Sequence, residues 1–186
     1  VNLAESLAAQ GYRTALLDAD FGQGACSVLL NETPAGSVQD LARHTALAEQ
    51  VYHRTLSGVT LIQAIPDAGR HTARDNRIFD LLDRILDDLS YNHDFILLDT
   101  PAGADGPVRW ALDRADLGVL VLVGEPTAIS DSYRLARMIW QATPDYPLRA
   151  IVNFAESEKD ARSVADRFSK VTEHFTGQET SYLGWV

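Results

Sequence analysis

Residues 94–123 read DFILLDTPAGADGPVRWALDRADLGVLVLV, and this stretch decides the fold class. Phe95-Ile96-Leu97-Leu98 is an apolar run that stops on Asp99. A turn rich in Pro, Ala and Gly follows, then a helical segment over 105–115, then a second apolar run from Leu117 to Val123. Strand, helix and strand within roughly thirty residues is the length of one βαβ unit, whose two strands must be parallel. The second run is continuous and rich in Val and Leu, the pattern expected of a strand buried on both faces.

The same rhythm extends in both directions. Thr14 to Leu17 is an apolar run ending in Asp18, and Val59 to Ile65 is another, bounded by Gly58 and Pro66. Leu148 to Val152 ends in Asn153, and Tyr182 to Val186 closes the chain. Between them lie helical patterns. Over 75–90, Ile78, Leu81, Leu82, Ile85, Leu86 and Leu89 form one stripe, leaving Asp83, Asp87 and Asp88 for solvent. Over 157–175, Ala161, Val164, Ala165, Phe168, Val171 and Phe175 do the same, and Gly177 stands where a left-handed residue ends a helix. Further helices are expected over 1–10 and 130–142, and short helices over one edge across 31–57. The sum is an α/β chain, residues 1–186 as a single domain, doubly wound, with a mainly parallel sheet and helices on both faces.

Composition narrows the function classes. The 186 residues are 46% apolar, so wholesale disorder is excluded. With 16 Lys and Arg against 26 Asp and Glu, the net charge of −10 argues against direct nucleic-acid binding. No run approaches the roughly 20 apolar residues of a membrane span. The one cysteine, Cys26, excludes an internal disulfide and fits a reducing compartment; with no His partner it reads as a buried, incidental thiol. His44, His53, His71, His93 and His174 are scattered without metal-ligand spacing. The helical pattern is already running at Val1-Asn2-Leu3-Ala4, and the chain ends on an apolar run, so both ends read as cut.

In open parallel sheets, ligands bind beyond the carboxyl ends of the strands, so polar residues that end strands matter most. Asp18-Ala19-Asp20-Phe21-Gly22-Gln23-Gly24 places two carboxylates just past a buried strand; an acidic, Gly-rich turn is the alternative. Asp99, with Gly103 beyond it, is the pattern of an acid that holds Mg²⁺ beside a backbone turn close to a phosphate; a helix-capping Asp is the alternative. Asn153 offers both a donor and an acceptor to a purine edge, or simply forms a turn. Ile129, Tyr133, Met138 and Trp140 are packing residues before they are a partner face, and Trp110 and Trp185 belong in the core.

In order, these segments resemble the MinD/ParA class of deviant P-loop ATPases, and within it the FlhG/FleN flagellar-number regulators. Gly11-Tyr12-Arg13-Thr14-Ala15-Leu16-Leu17-Asp18-Ala19-Asp20 is similar to that family's "LLDADxG" switch I, and Asp99-Thr100-Pro101-Ala102-Gly103 to its "DTxAG" Walker B and switch II. Glu125-Pro126-Thr127-Ala128-Ile129-Ser130-Asp131-Ser132-Tyr133 resembles "EPTSITDAY", and Val152-Asn153 with Tyr182-Leu183-Gly184 follows the family's "VN…YLG" stretch. Gln23-Gly24-Ala25-Cys26-Ser27 departs from the usual "LANxD", and Pro101 and Asp105-Gly106-Pro107 are unusual in switch II.

The resemblance implies a P-loop NTPase fold of the MinD type, with a G-K-G-G-x-G-K-[S/T] loop expected ahead of Val1 and a C-terminal amphipathic membrane helix beyond Val186. It implies ATP and Mg²⁺ as cofactors and a homodimer bridged by ATP. Asp20 would orient the attacking water, and Asp18 would support Mg²⁺ or the loop's Lys. Asp99 would hold Mg²⁺ through water, Gly103 would face the γ-phosphate, and Asn153 would read adenine. Expected partners are a flagellar GTPase of the signal-recognition type and a flagellar transcription activator, for a cytoplasmic protein that touches membrane only peripherally. Two competing readings are a ParA-like partitioning or pilus-positioning ATPase and a non-catalytic binding module without a P-loop.

Overall fold

The computed structural model describes residues 1–21, 24–64, 76–104 and 106–186, which fall into two compact units, Val1–Ala111 and Leu112–Val186. Gly22 and Gln23 of the acidic loop, Ile65 at the end of the second apolar run, His71, Asp75 and Asp105 lie outside the described residues.

The first unit is built on β1 (Thr14–Asp18), every residue of which is buried. Its parallel neighbours are β3 (Thr60–Gln63) and β4 (Phe95–Asp99), and β2 (His53–Arg54) adds antiparallel to β3, giving the order β2-β3-β1-β4. Side chains alternate across a strand, so β1 serves two cores. Ala15 and Leu17 join Ile62 and the stripe Ile78, Leu82, Ile85 and Leu89 of α5 (Asn76–Asn92). Leu16 joins Leu61, Ala4 of α1 (Asn2–Ala9) and Cys26 of α2 (Cys26–Leu29) on the other side. Helices thus cover both faces of this sheet, as the doubly wound pattern requires.

The irregular stretch 31–57 holds α3 (Val38–Ala42), α4 (Ala48–Val51) and β2. Ser37 caps α3: its Oγ accepts from Asp40 N at 3.1 Å while Asp40 Oδ2 accepts from Ser37 N at 3.0 Å. The antiparallel strand β2 was not legible in the sequence, being two residues long. A tight turn fixes it, in which Val59 N donates to Thr55 Oγ1 and Gly58 takes φ +86. The solvent face predicted for Asp83 needs correction. Asp83 Oδ1 accepts from Trp110 Nε1 of α6 (Gly106–Arg114) at 2.8 Å, because a buried indole N–H must find an acceptor.

The second unit is a three-stranded parallel sheet in the order β5-β6-β7, formed by β5 (Gly118–Val123), β6 (Leu148–Asn153) and β7 (Ser181–Trp185). Leu120 pairs with Ala150 and Leu122 with Val152, and these four pack with Ala136, Ile139 and Trp140 of α7 (Pro126–Ala142) and Val164 and Phe168 of α8 (Glu158–Thr176). Helix α7 starts at Pro126, earlier than 130, since proline lacks the N–H that the first turn leaves unpaired anyway. Ser157 caps α8, and Gly177 at φ 72 ends it. Ile129, Tyr133 and Met138 lie against this core and Trp140 lies in it, which is the packing role.

Two burial expectations fail here. β5 was expected to be buried on both faces, yet Val119 and Val121 are 40% and 59% exposed while Leu120 and Leu122 are buried. The cause is that α7 and α8 share a single core on one side of this sheet. Trp185, expected in the core, is 41% exposed, since it ends an edge strand whose register shifts at Ala150/Ile151. Among the described residues no helix is long and apolar enough to cross a membrane.

Candidate functional site

Parallel pairing of β1 with β4 sets Asp18 directly opposite Asp99 at the carboxyl ends of both strands. The ends are held level, with Ala19 N donating to Asp99 O at 2.8 Å and Ala64 N to Asp18 O at 3.0 Å. Asp18 is only 2% exposed, and both of its oxygens are engaged: Oδ1 accepts from Asp20 N at 3.2 Å and Oδ2 from Cys26 N at 3.1 Å. The Cys26 thiol in turn donates to Asp99 Oδ2 at 3.1 Å. Asp18, Cys26 and Asp99 each offer one ligand atom, all within 4.8 Å of one another. A Cβ on Gly24 would stand 3.0 Å from Asp18 Oδ2, so the loop backbone lies this close only because residue 24 has no side chain.

The electrostatics separate the two acids. Burial pushes the Asp18 carboxyl above its usual range; the N–H groups of Cys26 and Asp20 oppose this, and the nearby Asp99 charge adds to it. Burial also pushes the Cys26 thiol up, reinforced by the charges of Asp18 and Asp99, so the sulfur keeps its proton at neutral pH and acts as a donor. Asp99 is exposed, so the pair presents one buried and one accessible carboxylate.

The other predicted residues divide between the units. Asp20 is half-buried beside Asp18, and Gly103 sits exposed in the turn after β4 at φ +108, a conformation that side chains other than glycine resist. The first unit therefore carries Asp18, Asp20, Asp99 and Gly103. Asn153 ends β6 in the second unit, where its Oδ1 accepts from Phe154 N at 3.0 Å and Phe154 takes φ 59. Cys26 was read as a buried thiol outside the site; it is buried, and it also bonds both acids, which that reading missed. It stands six residues beyond Asp20, at the start of a short helix, where its N–H donates to Asp18 Oδ2.

Two carboxylates converging at parallel strand ends, beneath a glycine loop, supply the hard oxygen donors that a divalent cation such as Mg²⁺ takes, so the donor set fits that ion. Parallel strands ending in facing acids, wound by helices on both sides, are the architecture of the MinD-like P-loop nucleotide hydrolases. Residues 1–170 match the family model described as ATPase MipZ, and the chain belongs to this MipZ/MinD-type ATPase family. It is 30% identical to the antiactivator FleN of Pseudomonas aeruginosa over 186 residues, which is all of this chain and 66% of FleN. It is 26% identical to the flagellum site-determining protein YlxH of Helicobacter pylori, covering 100% of this chain and 63% of YlxH. The chain thus spans just under two thirds of either relative. Its fold matches the septum site-determining protein MinD of Pyrococcus horikoshii, complexed with Mg-ADP, at a TM-score of 0.67 and 20% identity over 89% of this chain and 68% of that one.

Proposed function

We propose that the protein is an ATP-hydrolysing dimerisation switch of the MinD/FlhG type that sets flagellar number or placement. The observation that carries the chemistry is the facing pair Asp18 and Asp99, bridged at the ends of adjacent parallel strands. The flagellar half of the reading is supported by the likeness to FleN and YlxH.

Asp99, the accessible acid, would hold Mg²⁺, through water as the resemblance implies, and Asp18, the buried one, would support it or a phosphate-binding lysine. Bound Mg²⁺ supplies charge neutralisation on the phosphates. Asp20 orients the attacking water, its loop held by the bond from its own N–H to Asp18. Gly103 would let the backbone turn near the γ-phosphate, because its φ of +108 is one that other residues resist. Transfer to water asks mainly for this positioning, and the output of the switch is the choice between ATP-bridged homodimer and monomer. The partners fitting that output are a flagellar GTPase of the signal-recognition type and a transcription activator.

The test is Asp20→Ala in the full-length protein that carries the phosphate-binding loop, with the full-length wild type beside it. Phosphate release should fall to background while ATP still drives dimer formation, measured by light scattering coupled to size exclusion. Normal turnover in that variant removes the role given to Asp20, and a wild-type protein that neither hydrolyses ATP nor dimerises with it overturns the whole reading.

A further inference from the structure

We infer that Cys26 is a positioning residue for the Asp18–Asp99 pair, tying two carboxylates from separate strands into one cation-holding unit. The inference rests on the reading of that pair as the Mg²⁺ site and adds a residue to it. Cys26 hydrogen-bonds both acids, its N–H on Asp18 Oδ2 at 3.1 Å and its thiol on Asp99 Oδ2 at 3.1 Å. The two bonds act on different problems. Asp18 is buried and also held by Asp20 N. Asp99 is exposed at the end of β4, the outer strand of its sheet, and the thiol bond is what sets the direction of its Oδ2.

Cys26 can do this because it does not itself move. It is 1% exposed and packed among Ala4, Leu16, Val59 and Leu61, so the side chain is fixed by aliphatic neighbours before it reaches the acid. A carboxylate whose second partner is rigid loses less freedom on ordering the water through which it holds a cation, and removing a partner from such a shell typically costs about tenfold or more in metal affinity.

Two substitutions separate positioning from packing. Cys26→Ser keeps a donor of nearly the same size, whereas Cys26→Val fills the apolar space and donates nothing. Mn²⁺ serves as the probe, its free signal followed by electron paramagnetic resonance against a protein-free reference holding the same ATP, alongside the Mg²⁺ dependence of phosphate release. Cys26→Val should bind Mn²⁺ about tenfold more weakly and need correspondingly more Mg²⁺ for half-maximal rate, with turnover at saturating Mg²⁺ nearly unchanged. Cys26→Ser should stay within about threefold of wild type, since its hydroxyl replaces the thiol bond.

A packing role predicts the reverse order, with Val tolerated and a buried hydroxyl resented. Wild-type Mn²⁺ affinity in Cys26→Val, or equal weakening by Ser and Val, overturns the proposal while leaving the cation site standing. A wild-type protein that takes no Mn²⁺ overturns both. If Cys26→Val does not fold, Cys26→Ala removes the donor without adding bulk and is held to the same outcomes.

Discussion

β1 and β5 are both short apolar strands, β1 inside its sheet and β5 at the edge of its own, and they meet different surroundings. All of β1, Thr14–Asp18, is buried, whereas β5, Gly118–Val123, hides Leu120 and Leu122 and shows Val119 and Val121. Thr14-Ala15-Leu16-Leu17 is no more apolar than Gly118-Val119-Leu120-Val121-Leu122-Val123. What differs is the layering. β1 has helices on both sides, and β5 has α7 and α8 packed into one core. The candidate acids stand at the ends of β1 and of β4, its neighbour, where pairing with the fully buried β1 fixes the backbone that aims them.

The largest effect should come from cutting into the doubly covered strand. Leu17→Ala removes a fully buried side chain from the first core and should cost about 2–5 kcal/mol in urea unfolding followed by circular dichroism. In the same assay Val121→Thr, on the open face of β5, should stay within about 0.5 kcal/mol. Equal costs at the two positions would mean that the β5 face is covered in solution, and the contrast between the units would be lost.

Gly177→Ala probes the second unit at an intermediate scale. Gly177 is left-handed at the end of α8 with open space around it, so the cost is backbone strain alone, about 1 kcal/mol by thermal or urea unfolding. No loss would mean that α8 ends without the left-handed turn.

The smallest effect lies at the far end of β1 and β4 from the two acids. There Arg13 NH2 pairs with Asp94 Oδ1 at 2.6 Å, and its guanidinium lowers the Asp94 carboxyl to about 2. A depressed carboxylate stabilises the fold above its ordinary pKa and loses that contribution as pH falls through the folded value. Asp94→Asn should therefore be slightly less stable than wild type near neutrality. The difference should close as pH falls from about 4 towards about 2, and high salt should shrink it because the pair is exposed. A gap that persists below pH 2 would show that the variant acts by something other than this pair.

The strands and long helices were legible because each has its own period. The stripe of 75–90 and the runs ending in Asp18, Asp99 and Asn153 all reappear within a few residues. β2 was not legible, since two residues carry no period and only the Thr55–Val59 turn creates them. Cys26 was not legible as part of the site either. Nothing local says that a thiol 73 positions before Asp99 will touch it.

The sequence by itself determined the alternation of elements, the parallel pairing it forces, and the acids that end the strands, because periodicity and turn chemistry are local properties. Pairing of β1 with β4 then decided that Asp18 and Asp99 face each other, and packing of α2 decided that Cys26 joins them. Helix placement decided that one apolar strand is enclosed and another is open. Burial and long-range contact belong to the assembled layers, and a strand cannot encode which of its faces another element will cover.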